Sequence, residues 1–88
     1  MEKILKLIET NQLEQAQVML QERLQKQPED AGAYFLLGQI FCKKQEWGMA
    51  INCFRQALEI APDYPRAKTQ IDMANAILGY FTPDMFNP

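Results

Sequence analysis

The chain has 88 residues, 48% hydrophobic and 23% charged, with a net charge of −2 and no histidine. A chain this short folds as one domain around a small core, its apolar runs fall short of the roughly 18 residues a membrane span needs, and an acidic balance whose only adjacent basic pair is Lys43-Lys44 argues against a nucleic-acid surface. Lacking histidine, it lacks the commonest general acid/base and the commonest metal ligand, so no catalytic residue, metal or cofactor is expected and an enzyme is not.

Apolar residues at helical spacing define the elements in chain order. The first stretch, about 2–10, carries Ile4, Leu7 and Ile8, and "MEKILKLIETN" reads as this helix rather than a leader, since Glu2 precedes the first lysine and Lys6 breaks the apolar run. A cytoplasmic chain is the corresponding expectation. A second helix, about 12–26, carries Leu13, Ala16, Leu20 and Leu24 and stops before Pro28. Asp30 is placed to cap a third helix over 31–44, with Tyr34, Leu37, Gly38 and Phe41 on one face. A fourth, over 47–61, carries Trp47, Ala50, Ile51, Phe54, Ala57, Leu58 and Ala61 and ends before Pro62. Pro65 suits the first turn of a fifth, about 65–80, with Ala67, Ile71, Ala74 and Leu78 on one face. Cys42 and Cys53 fall inside helices, too few and too far apart for a zinc site or a CxxC pair, and read as reduced thiols. Glu9, Glu14, Glu22, Asp63 and Asp72 read as solvated faces and caps.

The halves of the chain repeat. A shift of 34 residues carries Leu13 onto Trp47, Ala16 onto Ala50, Leu20 onto Phe54, Leu24 onto Leu58 and Pro28 onto Pro62. The same shift carries Ala33 onto Ala67 and Leu37 onto Ile71, so a third copy begins after Pro62 and supplies one helix. Gly38 stands out, because a glycine inside a helix costs about 1 kcal/mol against alanine. Two roles suit it: a close approach of two helices, with Ala50 small beside it and Phe54 and Trp47 filling the space around, or a hinge.

Tyr34-x2-Leu37-Gly38-x2-Phe41, followed by Ala50-x3-Phe54, Ala57 and Pro62, resembles the tetratricopeptide repeat (TPR) family. The resemblance implies an all-α solenoid of antiparallel helix pairs, a right-handed superhelix of five helices. On this reading residues 1–81 form one TPR domain, with a first repeat of about 1–30, a second of about 31–64 and a capping helix of about 65–81, followed by a tail of 82–88. Two positions depart from the pattern. Ile4 stands where the family prefers a small residue, and Gln45 stands in a turn where glycine is usual, which costs strain if the turn needs a positive φ.

The resemblance further implies a non-catalytic protein-interaction module whose concave face is lined by the first helix of each pair. The residues expected there are Leu5 and Ile8 from the first helix, Phe35, Gln39, Cys42 and Lys43 from the third, and Arg66, Thr69, Gln70 and Met73 toward the fifth. That lining is apolar enough to bury a protein or peptide segment, with Phe35 and Met73 partly exposed and Gln39, Lys43 and Gln70 orienting the ligand. Relatives that clamp a carboxylate use basic and amide side chains at places here held by Met1, Leu5, Leu36, Arg66 and Gln70; only Arg66 is basic, so a clamp is not expected. The alternative is a scaffold that forms homo-oligomers through its ends or its tail. In "GYFTPDMFNP" the side chains of Tyr80, Phe81, Met85 and Phe86 gather apolar surface that either folds back over the last helix or docks on a neighbour.

Overall fold

The computed structural model describes residues 1–81, the last two as backbone only, and among these five helices form: α1 (Glu2–Glu9), α2 (Leu13–Lys26), α3 (Ala31–Lys43), α4 (Trp47–Ile60) and α5 (Ala67–Phe81). Each of the first four lies within a residue or so of the bounds that periodicity gives. The expectations for residues 82–88, and for the side chains of Tyr80 and Phe81, lie outside the described residues. Consecutive helices pack together, α1 on α2, α2 on α3, α3 on α4 and α4 on α5, giving an all-α helical repeat.

The turns show why the chain folds back where it does. After α1 and after α3 the backbone passes through a left-handed residue, Asn11 at φ 63° and Gln45 at φ 62°. In the first turn the N–H of Asn11 donates to the Ile8 carbonyl and that of Gln12 to the Leu7 carbonyl; in the second the N–H of Gln45 donates to Cys42 and that of Glu46 to Phe41. This pair of bonds satisfies carbonyls at the helix end and reverses the chain in one step. Asparagine enters the left-handed region readily, whereas Gln45 does so at some cost.

The start of α5 departs from expectation. Arg66 has φ 69°, so Pro65 and Arg66 form a turn and the helix begins at Ala67, two residues later than proline placement suggests. A left-handed residue cannot continue a right-handed helical turn.

Between α3 and α4 the packing is set by one contact. A Cβ built on Gly38 would stand 2.7 Å from Cδ1 and Cζ of Phe54 and closer still to Cε1, while Phe54 is itself fully buried. The close approach is therefore real, and the ring fills the space that any side chain at 38 would need. The first helix pair is filled differently at the matching places. Ile4 occupies the place of Gly38, and Leu20 the place of Phe54; both are buried in the shared core with Ala16, Ala33, Leu37 and Phe41.

Polar contacts then fix the two pairs against each other. Asp30 caps α3 by accepting from the Ala33 N–H at 3.1 Å, and its other oxygen accepts from Nε of Arg23 on α2 at 2.6 Å. Lys44, at the end of α3, reaches back to α2 and places Nζ 2.7 Å from Oε1 of Gln17 and 2.5 Å from Oε1 of Glu14.

Burial alone would raise the Asp30 carboxyl, but the Arg23 hydrogen bond and the Ala33 N–H outweigh it and hold the group below its ordinary value. A carboxylate favoured by the folded state stabilises above its unfolded value of about 3.9, and that contribution is lost as pH falls through the lower folded value. Asp30→Ala should cost about 1 kcal/mol at neutral pH. Denaturant melts of both proteins from pH 7 to pH 2 should show a steady gap down to about pH 4 that closes below it; a gap unchanged at pH 2 would refute this assignment.

Candidate partner-binding surface

The ten residues expected to line the concave face separate by burial. Leu5 on α1 and Met73 on α5 are 43% and 53% exposed, Lys43, Arg66 and Thr69 are exposed, and Gln39, Cys42 and Gln70 are half-buried. Two do not belong to any surface. Phe35 is 6% exposed, and Ile8 is also 6% exposed.

Phe35 is covered by a turn that periodicity does not reveal. Its ring lies 5.4 Å from that of Phe54, in a tilted arrangement, and 5.2 Å from that of Tyr64, while the Arg66 guanidinium sits over it at 5.7 Å. The segment between α4 and α5 thus folds over the first half of α3, and Phe35 is a core residue rather than an anchor for a ligand. Ile8 is buried for a simpler reason: it stands four residues after Ile4 and shares its inward face. Tyr64 was given no role by the sequence, yet a signal existed. The 34-residue shift places it where Asp30 caps α3, so an aromatic residue replaces a capping one in an otherwise repeated pattern.

Arg66 has a consequence for recognition. The one basic residue at a clamp position is drawn onto an aromatic ring, a favourable cation–π arrangement, instead of standing free beside a second donor.

A different apolar feature lies between α1 and α2. A groove of about 420 Å³ is lined by Lys3, Leu7, Glu14, Gln15, Val18 and Met19, with Val18 52% exposed. It adjoins a second hollow of about 310 Å³ that Lys3 and Met19 share with Glu22, Arg23 and Lys26. Val18 lies off the apolar stripe of its helix, which is the mark by which the sequence could have singled it out.

Among the described residues no three Cys, Asp or Glu side chains gather where they could hold a metal ion, and no helix is long and apolar enough to cross a membrane.

Residues 31–64 match the family described as Tetratricopeptide repeat. Those bounds take in α3, α4 and the turn that carries Tyr64. No curated protein matches the chain.

The two thiols are chemically quiet. Burial pushes Cys42 upward, and burial together with the neighbouring Cys42 pushes Cys53 up to about 11. Because the thiolate is the reactive form, alkylation by iodoacetamide, resolved by peptide mass spectrometry, should be slow for both at pH 7. As pH rises, Cys42 should react first and Cys53 only toward pH 11. Rapid labelling of Cys53 at pH 7 would contradict the burial that sets this order.

Proposed function

Because the chain is a tetratricopeptide-repeat protein, we propose that it is a non-catalytic interaction module that holds a partner segment across its first helices α1, α3 and α5. The family supports protein partners in general; the nature of the segment is argued from the side chains. With Phe35 and Ile8 buried, the surface is no longer a continuous apolar lining. It has two separated apolar side chains, Leu5 and Met73, and a polar stretch between them from Gln39, Lys43 and Gln70. A partner that fits is an amphipathic peptide with two apolar residues set apart by polar ones. Shape and burial supply the affinity, and the glutamine amides supply orientation. A carboxylate clamp has no place in it, since Arg66 is engaged with Phe35.

The exposure of Leu5 and Met73 on first helices, with polar side chains between them, is the observation that carries this reading. Selection of a displayed library of short random peptides against the full chain provides the test. Enriched peptides should carry two spaced apolar residues and bind the Leu5→Asp/Met73→Asp variant at least about tenfold more weakly, a loss of about 1.4 kcal/mol. Circular dichroism should show the variant folded, both sites being exposed. Peptides that bind wild type and variant alike, or no enrichment, would overturn the proposal.

A further inference from the structure

The two ends of this array are not equivalent, and the difference points to a mode of self-association separate from peptide binding. On α3 the residues that receive α4 are Tyr34, Leu37, Gly38 and Phe41. The 34-residue shift carries them to Lys68, Ile71, Asp72 and Asn75 on α5. Lys68, Asp72 and Asn75 are all exposed. A further helix could not approach α5 as α4 approaches α3, for the Asp72 carboxylate stands where a ring like that of Phe54 would have to lie. Among the described residues, this face of α5 is polar where the matching face of α3 is apolar.

At the other end the shift places Lys3, Ile4 and Leu7 where α3 has Leu37, Gly38 and Phe41. Leu7 occupies the place of Phe41, which is 5% exposed on a helix packed against both α2 and α4, whereas Leu7 is only half-buried. With Met19 and the exposed Val18 it forms the groove between α1 and α2. The groove is bordered by opposite charges along its length. Glu14 lies beside the turn, 82% exposed although one oxygen meets Lys44, and Lys3 lies toward the far end, where it shares the adjoining hollow with Glu22, Lys26 and the Asp30-paired Arg23.

We propose that a second copy of this chain covers the α1–α2 groove in a two-fold dimer. Head-to-tail stacking needs a receptive face on α5, and the described face there is polar. A two-fold contact needs one self-complementary face. With the axis near Val18, the apolar strips of Leu7, Val18 and Met19 meet, and Glu14 of each copy faces Lys3 of the other. Helices of 8 and 14 residues are about 12 and 21 Å long, so the paired faces fall below the roughly 1,200 Å² of a stable complex and the dimer is a transient one.

Sedimentation equilibrium of the full chain from micromolar to millimolar concentration tests this. The mass should rise from 10.2 kDa toward twice that value and stop. Val18→Asp should keep its melting temperature and remain monomeric throughout. Lys3→Glu and Glu14→Lys should each weaken association about tenfold, and the double exchange should restore it, which a merely sticky surface would not do. A monomer at millimolar concentration, a dimer indifferent to Val18→Asp, or a mass that climbs past two copies would each overturn the proposal.

Discussion

The ring of Phe54 occupies the space that a side chain at position 38 would require, and much of the structure follows from that exclusion. Because Gly38 offers no Cβ, α3 and α4 close on one another and bury Phe54 completely. The buried ring then serves as a floor for Phe35, which in turn supports Tyr64 and draws Arg66 over its face. A single missing side chain thus propagates from the centre of a helix pair into the turn that leads to α5. The helix propensity lost at glycine, about 1 kcal/mol, is offset by burial of an aromatic ring, which is worth more.

The same constraint explains how the repeats differ. The first pair carries two aliphatic side chains at the matching places, Ile4 for glycine and Leu20 for phenylalanine. The family match spans residues 31–64, the unit that carries the small residue at that place. On α5 the place of Gly38 passes to Asp72, which is compatible with solvent and not with another helix. Three residues at one repeat position, isoleucine, glycine and aspartate, therefore stand in three environments: a core filled by aliphatic side chains, a pair packed by close approach, and a face exposed among the described residues.

Much of this was legible in the sequence because it is local. The helices follow from apolar spacing near 3.6 and from Pro28 and Pro62, the cap from an aspartate one residue before α3, and the close approach from Gly38 set against Ala50 and Phe54. The positive φ at Gln45 follows from its place in a turn where the family it resembles usually has glycine. What escaped was decided by segments with no periodicity. A helical wheel assigns Phe35 to a face of α3 but cannot report that Tyr64 and Arg66 fold over that face. Pro65 signals a helix start correctly in general, yet the left-handed Arg66 delays it. Ile8 was read onto two faces at once, and the core took it. The candidate surface consequently lost its aromatic anchor while the fold remained as expected, since a fold rests on many repeated positions and a site on a few.

The account stands on the claim that Gly38 is present because of Phe54 and not because the helix must bend there. A double-mutant cycle between Gly38→Ala and Phe54→Leu, read by denaturant unfolding, tests that claim directly. With Phe54 in place, Gly38→Ala should destabilise by about 1 to 3 kcal/mol, since the added methyl meets a ring that has no room to retreat. With leucine at 54 that cost should shrink, giving a coupling of roughly 0.5 to 3 kcal/mol. If Gly38→Ala instead stabilises the wild-type background by the roughly 1 kcal/mol that helix propensity alone provides, the ring and the glycine do not depend on each other and the account is wrong.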